Sequence, residues 1–441
     1  MTSEKKAEVD TFAKEYIDFL SAAKTERLAV KESVKLAEKY GFKPADSFKT
    51  VKAGDKLYFV NRNKNLFLYV IGEKPVSEGV RVLGAHIDSP RLDFKQNPLY
   101  ESNGFALCDT HYYGGVKKYQ WVTIPLALHG VICKKDGTTV DGNIGEDPSD
   151  PVVGISDLLP HLSREQYTKN LSQAIDGETL NVLVGGLPFK DDDVKDAVKL
   201  TVLKHLHDDF GMCESDFLSA ELCVVPSFNA RDIGFDRALI GAYGHDDRVC
   251  SYPALTALLN EKDDEHTVLV VLADKEEIGS EGNTGMQCKV YEDIIDIIAA
   301  SQNKPSALVR ANSVCLSADV TAGYDPNFAS VYEKKNASLV SYGTSVCKFT
   351  GSGGKSGSSD ASAELCGRVR KIFDDNKIVW QTAELGKVDA GGGGTVAKFI
   401  AKLNIDTIDI GVPVISMHAP YEVISKGDLY STYEAFAAFI K

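Results

Sequence analysis

The feature that most constrains the fold is an alternation of short apolar runs with amphipathic segments. HTVLVVLA (266–273) is followed by YEDIIDIIAASQ (291–302), and SVCLSADV (313–320) comes next. Short apolar runs between polar turns are typical of buried strands, while the spacing of isoleucine and alanine in the middle segment is that of a helix face. The alternation predicts an α/β fold with a mixed, mostly parallel central sheet flanked by helices.

The region from about Arg91 to Arg237 has a different pattern. Short strand-like runs such as WVTIPLALHGVIC (121–133) are separated there by abundant Gly, Asp and Pro. This pattern favours a β-rich domain inserted into the α/β fold. We therefore predict a discontinuous α/β domain formed by residues 1–92 and 236–441, and an inserted β-rich domain at residues 93–235.

Composition limits the partners and the compartment. The formal net charge of -14 disfavours nucleic acid and anionic membrane surfaces as partners. The nine cysteines are scattered and form no C-x-x-C pair, which is typical of a reducing compartment. The chain also has no run of about 18 apolar residues, the length needed to span a membrane. We expect a cytoplasmic protein that does not bind a membrane.

Ionisable side chains directly follow five of the predicted strands. They are His86 and Asp88, then His245, Asp246 and Asp247, then Glu276 and Glu277, then Asp319, and finally His418. Each alone has an ordinary structural explanation, such as a turn residue or a solvated loop. Because ligand sites in open α/β sheets form beyond the carboxyl ends of the strands, we expect these side chains to converge.

So many carboxylates at one place would repel one another unless cations were bound between them. Mixed histidine and carboxylate ligands suit Zn²⁺, with Co²⁺ or Mn²⁺ also acceptable, so the pattern predicts a dinuclear metal centre. The adjacent Glu276 and Glu277 then have separate roles, one as a ligand and one as carrier of the proton of the attacking water. In His86-x-Asp88, the aspartate can accept the second ring N–H of the histidine and fix its tautomer.

These segments together resemble the M18 family of zinc aminopeptidases, which is related to aspartyl aminopeptidases. The resemblance rests on AHIDSPRLDFKQNPLYE, YGHDDRVCSY, DKEEIGSEG, SADVTAGYDPNF, GSGGKSGSSDA and GVPVISMHAPYE, in this order along the chain. It implies a zinc exopeptidase-like fold, with residues 1–92 and 236–441 as the catalytic metallopeptidase domain. It also implies that residues 93–235 make dimer contacts.

The resemblance also implies roles for single residues. The positions that match the family's metal ligands are His86, Asp246, Glu277, Asp319 and His418. Asp246 matches the carboxylate that bridges the two ions, and Glu276 matches the general base. The family often has Asp-Asn where this chain has two aspartates, so Asp247 is the alternative to Asp246 as the bridging residue.

Substrate contacts are implied for two regions. Lys355, with Gly353 and Gly354 in the GSGGK segment, matches a loop near the substrate. His161, in the inserted region, matches a histidine that enters a neighbouring subunit's active site in related enzymes. The resemblance therefore implies a homo-oligomer, a dodecamer built from dimers, that acts on peptides.

The function predicted is removal of N-terminal residues from peptides by water that two metal ions activate, with Glu276 as general base. One alternative is another dinuclear-metal amidohydrolase, a carboxypeptidase or deacylase, which would need a cation such as Lys355 or Arg248 to bind a substrate carboxylate. A second alternative is a peptide-binding homologue without catalysis. The preferred N-terminal residue, acidic, neutral or broad, stays open.

Overall fold

The computed structural model describes residues 2–45, 50–190, 194–261 and 265–441. The chain forms two compact units. The first comprises Met1–Ser89, Ala230–Met417 and Tyr421–Lys441, and the second comprises Pro90–Asn229 and His418–Pro420.

Ten α-helices occur in the described residues. They are α1 (Ser3–Ala22), α2 (Glu26–Lys39), α3 (Leu171–Ala174), α4 (Ala197–Phe210), α5 (His245–Asn260), α6 (Val290–Ser301), α7 (Ser306–Asn312), α8 (Ala363–Asp375), α9 (Ala397–Ala401) and α10 (Lys426–Ile440). Several begin with a side-chain cap that the sequence supplies: Thr25 accepts the Leu28 N–H ahead of α2, and Ser362 accepts the Leu365 N–H ahead of α8.

The strands are numbered in the same way. They are β1 (Lys43–Pro44), β2 (Lys56–Asn61), β3 (Asn65–Val70), β4 (Arg81–His86), β5 (Arg91–Ser102), β6 (Phe105–Tyr113), β7 (Leu126–Cys133), β8 (Thr139–Ile144), β9 (Val182–Gly185), β10 (Ala220–Pro226), β11 (Arg231–Ile233), β12 (Leu239–Ala242), β13 (Val268–Ala273), β14 (Val314–Ala318), β15 (Thr321–Ala322), β16 (Thr344–Cys347), β17 (Gly351–Ser352), β18 (Trp380–Thr382), β19 (Gly392–Gly393), β20 (Asp406–Gly411), β21 (Pro413–Val414) and β22 (Glu422–Ser425).

A 9-stranded sheet forms the centre of the first unit, in the order β1-β2-β3-β13-β4-β14-β20-β16-β18. The pairings β13–β4, β4–β14 and β14–β20 are parallel, whereas β3–β13 and β16–β20 are antiparallel. The expected mixed sheet in an α/β fold is confirmed.

The strand β13 shows why the sequence folds in this way. Its residues are buried on both faces, so the run is continuously apolar rather than alternating. Val270 and Leu272 pack into one hydrophobic cluster with α5 and α10, while Leu269 and Val271 pack into a second cluster with α6. The sheet is therefore covered by helices on both faces.

The same strands position the ionisable residues. The parallel register of β13 with β4 pairs Ala273 with His86, so Glu276 and Glu277 follow one strand beside the histidine that ends the next. Asp319 follows β14, the neighbour of β4 on its other side. Three carboxyl ends thus meet at one edge of the sheet.

The second unit contains a 6-stranded sheet in the order β8-β7-β10-β5-β6-β9, with all pairings antiparallel. The helix α4 contacts β6 and β9 of this sheet, yet Val198 is its only buried residue. Many apolar side chains of this unit lie on its own surface, among them Leu162, Tyr167 and Leu187. Within the described residues, no helix is both long and apolar enough to cross a membrane.

Candidate metal centre

His86 lies at the centre of the site and is almost fully buried. Its Nδ1 atom is 3.1 Å from the main-chain oxygen of Asp88 and 3.3 Å from the Asp88 carboxylate. Its Nε2 atom faces the opposite way, 3.2 Å from Oδ1 of Asp246 and 3.9 Å from Oδ1 of Asp319. A ring nitrogen held by oxygen acceptors on one side leaves the other nitrogen directed at the carboxylates, as in metal-binding histidines.

Two groups of possible ligand atoms share this histidine. In one group, atoms of His86, Asp246 and Glu277 all lie within 4.8 Å of one another; in the other, atoms of His86, Asp247 and Asp319 do so. These residues come from three separate strand ends and the start of α5. Their donor set of one imidazole and several carboxylates fits divalent ions of the Zn²⁺ type.

The electrostatics point the same way. Burial raises the pKa of Asp319 well above its usual value, and the carboxylates of Asp247 and Glu276 add to the rise. Burial likewise raises the pKa of Asp247, with a further contribution from Asp246. Burial lowers the pKa of His86, but the surrounding carboxylates outweigh it and raise that pKa well above the usual value. The crowding is costly for the protein alone and is relieved by positive charge.

The segment after β13 turns sharply, as its glycines suggest. Lys275 and Gly279 both have left-handed backbone torsions, at the two ends of a 3₁₀ turn over Glu276–Ile278. Asp274 closes the loop, because its carboxylate accepts the Lys275 N–H at 2.8 Å and the Thr284 hydroxyl at 2.7 Å. Burial, followed by nearby carboxylates, raises the pKa of Asp274 to about 7.

Glu276 and Glu277 are both half-buried at this turn, and Asp88 binds them together. The Asp88 carboxylate accepts the Glu276 N–H at 3.1 Å and the Glu277 N–H at 3.2 Å. Of the two glutamates, Glu277 belongs to a group of ligand atoms and Glu276 does not, within the described residues. The two adjacent carboxylates therefore have different surroundings.

His245 also follows a strand, but its ring is engaged in the interior. Its Nε2–H donates to the Ile240 oxygen at 3.2 Å, and the Tyr16 hydroxyl donates to its Nδ1 at 2.8 Å. Burial lowers its pKa to about 3, so the ring is neutral. Both nitrogens are used, and His245 has no place in either ligand group.

Arg248 is fully buried next to this histidine. Its guanidinium donates to main-chain oxygens of Lys24 at 3.0 Å and Ile87 at 3.1 Å. It ties the start of α5 to neighbouring loops and is not directed toward solvent.

The remaining predicted residues lie outside the two ligand groups. His418 is half-buried and its Nδ1 is 2.9 Å from the Gly115 oxygen, which favours the tautomer with its proton on Nδ1. Lys355 is in an exposed loop, 3.3 Å from the Asp360 carboxylate and 3.9 Å from the Phe349 ring centre. Gly353 and Gly354 are exposed beside it, and His161 is exposed on a short turn. The nearby Gly392–Gly393 pairs with Gly351–Ser352 as a short antiparallel strand.

Two residues that the sequence did not single out also contact the site. Glu422 and Ser89 are both almost fully buried and bind main-chain atoms of Asp246. Glu422 lies within the GVPVISMHAPYE segment, and a charged residue at the start of a buried strand was the available signal.

Comparison with known proteins shows to which family the chain belongs. The family described as "Aminopeptidase I zinc metalloprotease (M18)" matches residues 19–440. The chain belongs to the M18 family. A probable M18 family aminopeptidase 1 of Clostridium acetobutylicum is 48% identical, over 98% of this chain and 95% of that protein. The crystal structure of the M18 aminopeptidase of Thermotoga maritima superposes with a TM-score of 0.96 at 44% identity, covering 100% of this chain and 98% of that one.

These matches make the M18 protein a zinc metallo-aminopeptidase, a hydrolase acting on peptide bonds, and confirm the resemblance inferred from the sequence. A more distant likeness, to the structure of the S. cerevisiae mApe1 dodecamer, has a TM-score of 0.78 at 22% identity and covers 97% of this chain and 95% of that one. That likeness concerns the fold.

Proposed function

We propose that this M18 enzyme removes N-terminal residues from peptides with the help of two divalent metal ions, Zn²⁺ by preference and Co²⁺ or Mn²⁺ as possible substitutes. The observation that carries the proposal is that the carboxylates of Asp246, Asp247, Glu277 and Asp319 gather in two groups around one histidine, His86. One imidazole nitrogen binds one ion, so a second ion would be held by the carboxylates, one of which would be shared between the two ions.

The residues proposed to hold the ions are His86, Asp246, Glu277, Asp319 and His418. Bound there, divalent ions would polarise the scissile carbonyl and activate water. His418 remains a prediction from the sequence resemblance, and its Nδ1 contact with Gly115 supports it, since Nε2 is then the nitrogen with a lone pair.

We assign the bridging position to Asp246 and not to Asp247. One oxygen of Asp246 is 3.2 Å from the ring nitrogen of His86 that faces the ligand group. Asp247 instead accepts the main-chain N–H of His86 at 3.3 Å, which gives it a structural task. The assignment agrees with the family pattern, in which an amide side chain often follows the bridging aspartate.

Glu276 is proposed as the general base. The role is supported by its place directly before Glu277, with both main-chain N–H groups donating to the Asp88 carboxylate, and its own carboxylate adds to the raised pKa of Asp319. It would take the proton of that water and deliver it to the leaving amine. Asp88 keeps the Glu276 main chain fixed during both transfers.

The substrate contacts proposed are the exposed loop with Gly353, Gly354 and Lys355, together with His161, which would enter the active site of a neighbouring subunit. Arg248 does not support the carboxypeptidase or deacylase alternative, because its buried guanidinium already binds main-chain oxygens. Lys355 alone, already close to Asp360, is a weak basis for binding a substrate carboxylate. An aminopeptidase is therefore favoured over a carboxypeptidase or a deacylase.

We further propose that the inserted β-rich domain, residues 93–235, makes dimer contacts in a dodecamer. Tyr167 is 72% exposed, Leu187 70% and Leu162 67%, an amount of apolar surface that a partner subunit would cover. The scattered cysteines favour the cytoplasm as the location.

A substrate panel tests the function. The metal-loaded enzyme should hydrolyse aminoacyl reporters and short peptides with a free N-terminus and should leave the same peptides intact once they are N-acetylated. Reporters with Asp, Glu, Leu and Lys would show the residue preference. Cleavage of the acetylated peptides, or release of residues from the C-terminus, would contradict the proposal.

A further inference from the structure

The peptide unit that carries Asp246 is held by side chains at both of its main-chain groups. Its N–H donates to Oε2 of Glu422 at 3.0 Å, and its carbonyl oxygen accepts the Ser89 hydroxyl at 2.5 Å. Although Asp246 falls at the start of α5, its torsions of φ -78 and ψ 107 are not helical. An N–H in the first turn of a helix has no acceptor within that helix, so Glu422 supplies the acceptor, and Ser89 adds a donor at the carbonyl oxygen.

This arrangement lies in the protein interior, where water is not available as a substitute partner. Asp246 is 3% exposed, and Glu422 and Ser89 are each 1% exposed. A buried main-chain N–H without an acceptor is unfavourable, and a carboxylate is a stronger acceptor than a neutral oxygen. Removal of the Glu422 carboxylate would take away the acceptor of the Asp246 N–H, and the main chain at Asp246 would shift to reach another one.

The elements that place the two side chains are the elements that build the site. Glu422 begins β22, which pairs with β12 in a register that sets Glu422 opposite Ala242, shortly before α5. Ser89 follows His86 by three residues at the end of β4. The segment with Asp246 is thus attached both to the strand that carries the histidine and to a second sheet.

We infer that Glu422 is a positioning residue for Asp246, acting through the main-chain N–H and without contact with substrate. The inference rests on the proposed function, in which Asp246 is a metal ligand. A carboxylate of Asp246 that is misplaced by a fraction of an ångström would bind metal less tightly, because ligand geometry depends on such supporting contacts. Ser89 has the same role at the carbonyl oxygen.

The test compares Glu422→Ala with Glu422→Gln. Alanine removes the acceptor, whereas glutamine keeps an acceptor oxygen in nearly the same volume and removes only the charge. The zinc dissociation constant would be measured by competition with a chromophoric chelator, well below the melting temperature of each protein. We expect Glu422→Ala to weaken zinc binding by about 10- to 100-fold, with Glu422→Gln recovering most of that loss.

Asp428→Ala is the matched control, because Asp428 is a buried carboxylate in the same unit that accepts main-chain N–H groups of Ser341 and Gly343. It should lower the melting temperature and leave the zinc dissociation constant unchanged. Equal zinc affinity in Glu422→Ala and the wild type, or a glutamine variant as weak as the alanine variant, would overturn the inference. Asp246→Asn separates the two proposals: if it binds zinc normally, Asp246 is not a ligand and the proposed function is at fault.

Discussion

The Asp88 carboxylate accepts the main-chain N–H groups of both Glu276 and Glu277, at 3.1 and 3.2 Å. The same side chain lies 3.3 Å from Nδ1 of His86. One buried residue therefore connects the histidine at the end of β4 to the two glutamates after β13. It fixes the relative position of a candidate ligand and a candidate base, although it is itself in neither ligand group among the described residues.

Asp88→Asn should reduce activity more than stability. An asparagine has one acceptor oxygen in place of two, so one of the two glutamate N–H groups loses its partner and the loop after β13 shifts. Supporting residues of this kind typically contribute about 10- to 100-fold to metal affinity or activity. Steady-state kinetics and zinc content would be measured together. Wild-type kcat in the variant would contradict the role given to Asp88.

Metal removal should lower the melting temperature. Without ions, the carboxylates of buried Asp247 and half-buried Asp319 lie close together with raised pKa values, and bound cations remove that repulsion. At a free metal concentration of about 100 times the dissociation constant, binding adds about 2.7 kcal/mol to the free energy of unfolding. Calorimetry with a chelator, and then with zinc restored, checks this.

Glu277→Gln provides the comparison for that experiment. Because it removes one proposed ligand, its melting temperature should respond less to zinc than that of the wild type. A zinc response identical in the two proteins would exclude Glu277 as a ligand.

Asp428, which lies outside the ligand groups, should make the stability of the protein depend on pH. Burial raises its pKa to about 7 in the folded protein, against an ordinary value of 3.8. The folded state then holds the proton more tightly than the unfolded state, so the free energy of unfolding falls as pH rises from about 4 to about 7. The slope is at most about 1.4 kcal/mol per pH unit.

Asp428→Asn cannot titrate at this position but also loses one of two acceptors for main-chain N–H groups, so its stability relative to that of the wild type should rise between about pH 4 and about pH 7. Urea unfolding of both proteins at several pH values gives the difference, in which other titrating groups cancel. A constant difference across this range would show that Asp428 has an ordinary pKa.

The exposed apolar surface of the second unit predicts an assembly. Tyr167→Asp combined with Leu162→Asp should reduce the molar mass in light scattering after size exclusion, because charges would be buried in a subunit contact. Val331→Asp, an exposed apolar site in the first unit, is the control. A wild-type protein that is monomeric would contradict the dodecamer.

The sequence predicted the sheet and the strand-end residues because both depend on local patterns. The continuous apolar run of β13 specifies a strand buried on both faces, and the polar residues after it must lie at a strand end. The order of the strands is not local information: the structure shows that β4 lies between β13 and β14, and this order brings His86, Glu277 and Asp319 to one edge.

The contacts of Glu422 and Ser89 could not be predicted in this way. They join main-chain atoms of Asp246 to side chains distant in sequence, and the pairing of β22 with β12 is antiparallel and lies outside the main sheet. The hydrogen bonds of His245 to Tyr16 and Ile240 could not be predicted either. A histidine after a strand has the same sequence pattern whether it binds a metal ion or packs in the interior.

Turnover and metal content of Glu276→Gln, measured on the same preparation, test the central claim most directly. We expect zinc content equal to that of the wild type and a kcat lower by about 10²- to 10⁴-fold, the range typical of a general base. Glu281→Gln, the same change at an exposed position in the same loop, should retain wild-type turnover. Wild-type kcat in the Glu276 variant, or loss of its zinc, would contradict the separation of the two glutamates into a proton carrier and a ligand.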